Sequence, residues 1–177
     1  MFRNILVAFD GSPPAEEALE HAIDLAQAQG ARLTLLTASP SYLDVASSVA
    51  PGGASLITSS AAAGGEPRID LNQAQRQLEE DAKAVLDRGA ARVPATLVSE
   101  TVLATGAPAQ KVLERVRQGQ HDLVVMGSRG RTGIGAMLLG SVSHNVLHHS
   151  PVPVLIVPPH RDVEAPEKRG LGSEGVS

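Results

Sequence analysis

A glycine-rich segment in the last third of the chain carries residue types that bind phosphate groups. Gly127, Gly130 and Gly140 follow the run 121–126, which is apolar from Leu123 onwards, and Ser141 stands directly after the last glycine. Main-chain amides can converge on an anion only where the backbone accepts crowded or left-handed conformations, which glycine provides. A buried strand that leads through such a loop into a helix N-terminus is typical of a phosphate site. The sequence therefore favours phosphate binding here, with a tight connection as the alternative for each glycine taken singly.

Charged and polar residues near these glycines would complete such a site. Arg129 and Arg131 could supply positive charge, and Ser141 could cap the following helix while its hydroxyl donates to a terminal phosphate. Two familiar phosphate motifs do not fit. A P-loop ends in Gly-Lys-Ser/Thr, whereas Gly140 lies between Leu139 and Ser141. A dinucleotide fingerprint should follow the first strand, but that turn reads Asp-Gly-Ser-Pro.

Other candidate chemistry is sparse. His144 and His148 are four residues apart and could share a metal, but a position near a helix C-terminus favours two solvent-facing histidines. Ser128 lacks the Gly-x-Ser-x-Gly surroundings of an esterase nucleophile. Asp10 is the one acid placed to act as a base for hydrolysis. The sequence therefore favours a protein that is not an enzyme, or at most a slow hydrolase.

Short apolar runs alternate with amphipathic stretches, which predicts strands at 5–9, 33–38, 95–102, 123–126 and 152–157. Helices are expected at 13–29, 72–88, 108–118 and 141–148. This order predicts an α/β fold, a single open, mostly parallel five-stranded sheet with helices on both faces, Rossmann-like, in the strand order 3-2-1-4-5. The first and fourth strands then lie side by side at the switch point, where ligands bind.

The length of 177 residues predicts one domain, covering 1–159. Residues 40–70 are rich in Ser, Ala, Gly and Pro without a sustained period, which predicts a long flexible insertion, with a lid over the ligand as the less favoured alternative. The charged, glycine-rich stretch 160–177 is interpreted as a disordered tail. The chain has no cysteine, which excludes disulfides and thiolate metal sites.

Charge and composition exclude several classes of partner. The net charge is −4, and the aromatic residues are one Tyr and two Phe, which argues against a nucleic-acid surface. No apolar segment is long enough for a membrane span, and the N-terminal run is too short for a signal peptide. The sequence therefore predicts a cytoplasmic protein without a nucleic-acid or membrane partner.

Three segments together resemble the universal stress protein family. They are the signature Gly127-x2-Gly130-x9-Gly140-Ser141, the opening 5–12 and the ending 150–157. The resemblance spans nearly the whole chain outside 40–70 and the tail, and it implies a fold like that of the adenine nucleotide alpha hydrolases. The intact signature resembles that of the ATP-binding members, which implies ATP as the ligand. Whether Mg²⁺ or Mn²⁺ accompanies the nucleotide is left open.

The resemblance implies three groups of ligand contacts. Asp10 would hold the ribose hydroxyls, with an Asx-type turn into the first helix as its structural alternative. Ala8, Ala38 and Met126 would surround the adenine ring. The phosphates would be held by the loop and by the start of the helix that follows it: Gly127, Arg129, Gly130, Gly140, Ser141 and Val142.

The resemblance also implies a nucleotide-dependent regulatory module of the stress response that acts as a homodimer. Pro153 cannot donate to a sheet ladder, so the last strand is expected at an edge of the sheet. Self-pairing of that edge, in the region of Val152, Val154 and Ile156, would form the dimer. Two alternatives stay open, namely a slow ATP hydrolase or nucleotidyl transferase on the same fold and an interaction protein that binds no nucleotide.

Overall fold

The computed structural model describes residues 1–41, 70–97, 99–130 and 139–159. Strands and helices alternate along these residues: β1 (Asn4–Ala8), α1 (Pro13–Gln29), β2 (Arg32–Ser39), α2 (Leu71–Ala90), β3 (Ser99–Thr105), α3 (Pro108–Gln118), β4 (Leu123–Gly127), α4 (Ser141–His149) and β5 (Val154–Val157). The insertion predicted at 40–70 falls almost wholly on 42–69, and the predicted tail falls on 160–177. Both segments lie outside the described residues.

The five strands form one sheet in the order β3-β2-β1-β4-β5, and every neighbouring pair is parallel. The predicted fold class and strand order are therefore confirmed. The chain runs outwards from β1 to β3 on one side and then returns beside β1 with β4. This reversal places the carboxyl ends of β1 and β4 next to each other.

Two apolar layers cover the two faces of the sheet. Helices α1 and α2 pack on one face, where their buried residues meet Ile5 and Val7 of β1. Helices α3 and α4 pack on the other face, over Leu6 of β1 and Val124 of β4. Since alternate residues of one strand feed opposite layers, the central strands are apolar along their whole length.

Two predicted strands begin later than expected. The third strand was predicted from residue 95, but β3 begins at Ser99, because the N–H of Leu97 bonds to the carbonyl of Pro94 in a turn. The fifth was predicted from Val152, but β5 begins at Val154. The Ser150 hydroxyl donates to the carbonyl of Val152 at 2.8 Å, so this residue belongs to a turn.

The two serines predicted to cap helices behave differently from the prediction. Ser12 stands at the N-cap position of α1, but its hydroxyl donates to Asp10 and not to the helix. Ser141 is the first residue of α4, and Gly140 stands at the N-cap position. The first turn of α4 therefore has no side-chain cap.

Candidate functional site

The carboxyl ends of β1 and β4 form the floor of a cavity of about 270 Å³. Ala8 on β1 is the register partner of Met126 on β4, so the two strands end side by side. All ten residues predicted from the sequence to contact a ligand line this cavity: Ala8, Asp10, Ala38, Met126, Gly127, Arg129, Gly130, Gly140, Ser141 and Val142. Segments that are far apart in the sequence therefore meet at the place where parallel sheets bind ligands.

One end of the cavity is apolar. Its walls include Ala8, Leu36 and Ala38 from the sheet, Met126 from β4 and Val112 from α3. Leu36, Val112 and Met126 are buried members of the core between the sheet and α3. The short side chains of the two alanines leave space above the strand ends. This end of the cavity can therefore hold a flat, apolar group such as an aromatic ring.

The loop between β4 and α4 forms the other end of the cavity, and its two ends are held together. The N–H of Gly140 donates to the carbonyl oxygen of Ser128 over 2.7 Å. The hydroxyl of Ser143 donates to the same oxygen over 2.8 Å. Arg131, a second cation predicted from the sequence, lies outside the described residues. The two described ends of the loop are therefore held at a fixed separation beside the cavity.

Asp10 makes the Asx-type turn that was the structural alternative to a ligand role. Its Oδ1 accepts the N–H of Ser12 at 3.0 Å and the hydroxyl of Ser12 at 2.6 Å. The second carboxylate oxygen, Oδ2, lies 2.7 Å from the point that a Cβ on Gly130 would occupy. The turn thus holds the carboxylate against the glycine loop, so a structural role and a ligand role are compatible.

Two of the loop glycines differ in what makes glycine necessary. A Cβ on Gly127 would lie 2.8 Å from the carbonyl carbon of Pro14 and 2.9 Å from the nitrogen of Ala15, in the first turn of α1. A Cβ on Gly140 would meet no described atom closer than 3.5 Å, which is an ordinary contact. Close packing against α1 therefore explains why residue 127 is a glycine. Packing against the described residues does not explain why residue 140 is one.

Arg129 brings a positive charge to the cavity. Its Nε atom is buried and has no hydrogen-bond partner among the described residues. A second, more open depression of about 420 Å³ lies beside Arg129 and Gly130, against the start of α1. Pro13 and Pro14 in that wall have no N–H to offer an anion. Ser141 and Val142, at the start of α4, line the first cavity and not this depression.

The histidine pair on α4 faces solvent. His144 and His148 are exposed, and their ring centroids lie 4.5 Å apart with the planes tilted by 50°. Within the described ranges, no group of three or more His, Cys, Asp or Glu side chains could hold a metal. The arrangement matches the solvent-facing alternative stated from the sequence.

Comparison with known proteins decides the family. The model of the universal stress protein family matches residues 1–158 of this chain. The chain belongs to the universal stress protein family. It is 32% identical over 160 residues to the universal stress protein YxiE of Bacillus subtilis, an alignment that covers 89% of this chain and 99% of the relative. The family resemblance inferred from the glycine signature is therefore confirmed.

Solved structures of universal stress proteins share the fold. One in complex with cAMP is 25% identical, covers 90% of this chain and 99% of its own, and superposes with a TM-score of 0.60. Another, from Arabidopsis thaliana with AMP bound, is 14% identical, covers 90% of this chain and 94% of its own, and also has a TM-score of 0.60.

None of the described helices has both the length and the hydropathy that a membrane span requires.

Seven further residues line the cavity but were not predicted from the sequence: Phe9, Ala15, Leu36, Pro40, Pro108, Val112 and Ser143. Pro40 follows β2 and Pro108 opens α3, so both lie at the carboxyl side of the sheet, and the predicted topology could have located them. Ser143 gave no such signal, because a serine in the first turn of a helix is common. Its contact with Ser128 is visible only in three dimensions.

Proposed function

We propose that this chain binds ATP in the cavity above β1 and β4 and acts in the cytoplasm as a nucleotide-dependent module of the stress response. One observation carries the proposal. Ten residues selected from the sequence line a single cavity. Their types divide into an apolar end and an end rich in main-chain amides, which are the two environments that an adenine nucleotide needs.

The apolar end suits the adenine ring. Ala8, Ala38 and Met126 would surround the ring, and Leu36 and Val112 would complete the walls. Contact between a flat ring and aliphatic side chains removes apolar surface from water. This hydrophobic gain would hold the base, while the polar end fixes its orientation.

The first turn of α4 suits the phosphates. No side chain caps this turn, since glycine occupies the N-cap position. The other described helices differ, because α1 and α3 begin with proline at N1 or N2, and the carboxylate of Asp70 caps α2. The N–H groups of Ser141 and Val142 are left for an acceptor outside the helix. The dipole of α4 adds about half a positive charge at this point.

Charged side chains would complete the nucleotide site. The Asp10 carboxylate, oriented by Ser12, would accept hydrogen bonds from the ribose hydroxyls, and the Arg129 guanidinium would face the phosphates together with the backbone of Gly127, Gly130 and Gly140. The described residues offer no cluster of three metal-binding side chains. A Mg²⁺ or Mn²⁺ ion that accompanied ATP could take phosphate oxygens and water as ligands, as Mg²⁺ commonly does with nucleotides.

The relatives support an adenine nucleotide as the ligand. The universal stress protein that is 25% identical to this chain is in complex with cAMP. The step from adenine nucleotides in general to ATP rests on the glycine loop and the uncapped turn of α4, which would receive the outer phosphates. The triphosphate should therefore bind more tightly than the monophosphate.

We also propose that the chain acts as a homodimer through β5. The carbonyls of Pro153 and Val157 accept hydrogen bonds from the β4 side. Because main-chain groups alternate along a parallel ladder, those of Val154 and Ile156 point away from β4. An open edge of this kind is a template for pairing with another chain, and a second copy is the partner that closes it symmetrically.

Titration calorimetry with ATP, ADP and AMP tests the nucleotide proposal, and two variants test the orientation of the ligand. Ala38→Phe should fill the apolar end with an aromatic side chain and weaken all three nucleotides by a similar factor. Gly130→Val should obstruct the loop and displace the Asp10 carboxylate, which lies 2.7 Å from the Cβ position, so AMP should also weaken through the shared ribose contact, but ATP should lose more, roughly tenfold or more. Thermal unfolding without nucleotide serves as the control for folding.

Several results would contradict these expectations. If no nucleotide bound, the alternative of an interaction protein with an unused loop would be favoured. If both variants weakened ATP, ADP and AMP equally, the proposed orientation of the nucleotide, with its phosphates at the glycine loop, would lose its support. Release of phosphate over hours, lost in Asp10→Ala while ATP still binds, would favour the slow hydrolase.

A further inference from the structure

A buried group of hydrogen bonds closes the loop between β4 and α4 at its base. The carbonyl oxygen of Ser128 accepts the N–H of Gly140 at 2.7 Å and the hydroxyl of Ser143 at 2.8 Å. The Ser143 hydroxyl also lies 3.0 Å from the carbonyl oxygen of Gly140. Ser128 and Ser143 are 4% and 2% exposed, so bulk water does not compete for these groups.

Each end of the loop is attached to a rigid element. The N–H of Ser128 donates to the carbonyl of Val157 at 2.7 Å, which fixes the start of the loop to β5. The carbonyl of Gly140 accepts the N–H of His144 at 2.9 Å, which fixes the end of the loop to α4. Ser143 joins the two ends, because it belongs to α4 but donates across to the strand side.

A hydrogen bond within α4 alone would not account for both contacts of the Ser143 hydroxyl. Serine in a helix often bonds to a carbonyl three or four residues before it, and the contact with Gly140 is of that kind. The shorter bond to Ser128 spans fifteen residues of sequence and crosses the mouth of the loop. Together with the bond from the Gly140 N–H to the same oxygen, it fixes the separation of the loop ends directly beside the amides of Ser141 and Val142.

We propose that Ser143 is a positioning residue that holds Ser128 and Gly140, the described ends of the loop, at their ligand-binding separation before the nucleotide arrives. The inference rests on the proposed ATP site and deepens it. Loop ends that are already joined lose less conformational freedom when a ligand binds, so binding is tighter without any added contact between Ser143 and the ligand. Loss of the hydroxyl should weaken ATP roughly fivefold to tenfold, the effect of about one hydrogen bond.

Three variants test this role. Ser143→Ala removes the donor, and Ser143→Thr restores a hydroxyl at the same position. Ser150→Ala is the matched control, because the Ser150 hydroxyl makes an equivalent bond to a carbonyl, that of Val152 at 2.8 Å, at the opposite end of α4. For each protein, ATP affinity is measured by calorimetry, and amide hydrogen exchange is measured without nucleotide at Gly140 and, as an internal reference, at Val125.

The two readouts separate the positioning role from the ATP site itself. We expect Ser143→Ala to lose ATP affinity and to exchange the Gly140 amide faster, with Val125 unchanged, Ser143→Thr to recover both, and Ser150→Ala to change neither. If Ser143→Ala bound ATP as tightly as the wild type, the positioning role would be wrong while the ATP site stood. If the wild type bound no ATP, the ATP site would be wrong, and exchange at Gly140 would decide alone whether Ser143 closes the loop.

Discussion

At the scale of single residues, the glycines of one signature have different physical reasons. Gly127 is required by the first turn of α1, whose main chain would contact a Cβ at that position. Gly140 has φ −74° and ψ 164°, and a Cβ there would make only ordinary contacts with the described residues, the nearest at 3.5 Å. The proposed phosphate site would give a reason for Gly140, namely close approach of a ligand, and substitution can separate the two cases.

Alanine at the two positions should therefore have opposite effects. Gly127→Ala should lower the free energy of unfolding by about 1–3 kcal/mol, since the added carbon would overpack the interface between β4 and α1. Gly140→Ala should lower that free energy by at most about 1 kcal/mol, the cost of alanine at a helix N-cap, but weaken ATP roughly tenfold. Urea unfolding and calorimetry measure the two quantities. Equal destabilisation by both changes would contradict a ligand role for Gly140.

A buried histidine lies at the opposite end of the sheet from the cavity. Nδ1 of His121 faces the carbonyl oxygen of Arg115 at 3.2 Å, and Nε2 faces the hydroxyl of Thr34 at 3.0 Å. Burial lowers the pKa of His121, and the positive charge of Arg115 acts in the same direction. The hydrogen bond to the Arg115 carbonyl and the charges of Glu100 and Asp122 oppose this shift without cancelling it. The folded protein therefore favours the neutral ring.

Acidification should destabilise the fold through this residue. Because the pKa of His121 is lower in the folded state, the unfolded state takes up the proton first as the pH falls below about 6.5. The free energy of unfolding should decrease from there until the folded pKa is reached. His121→Gln should remove this part of the dependence, whereas His21→Gln, at an exposed position on α1, should retain it. Urea unfolding at a series of pH values checks the expectation, and parallel curves for wild type and His121→Gln would refute it.

At the scale of elements, sequence patterns located the centres of strands and helices better than their ends. Apolar periodicity reports burial, which is strongest in the middle of an element, so the core of β4 was predictable residue by residue. The start of β3 was not, because Pro94 and Leu97 form a turn within an apolar stretch. The cavity wall contributed by α3 was also missed, since it depends on how that helix lies across the sheet.

The end of α1 shows where a local signal is sufficient. Gly30 has φ 64° and ψ 32°, the left-handed conformation of a helix C-cap, and a Cβ there would meet nothing within 4 Å. Gly30→Ala should therefore cost about 1 kcal/mol through backbone strain alone. Gly30→Asn should cost less, because asparagine tolerates this conformation. Thermal unfolding of the two variants measures the difference, and an equal cost for both would argue against strain as the cause.

At the scale of the whole molecule, the sheet has two edges with different surroundings. The β3 edge presents Leu103 and the β5 edge presents Leu155, each 38% exposed. Helix α4, which contacts β5, carries a further exposed leucine, Leu147. The exposed leucine on this neighbouring helix, together with the open main-chain groups of β5, is our reason for assigning the proposed dimer interface to the β5 edge and not to the β3 edge.

The geometry of self-pairing gives a sharp test of the proposed dimer. If Val154 of one copy pairs with Ile156 of the other, the twofold axis passes through Leu155, so the two Leu155 side chains lie next to each other. Leu155→Lys would then place like charges opposite one another and should convert the dimer to a monomer in sedimentation velocity. Leu103→Lys adds the same charge at an equally exposed position on the other edge and should leave the dimer intact. A monomeric wild type, or dissociation by Leu103→Lys in place of Leu155→Lys, would show that β5 is not the interface.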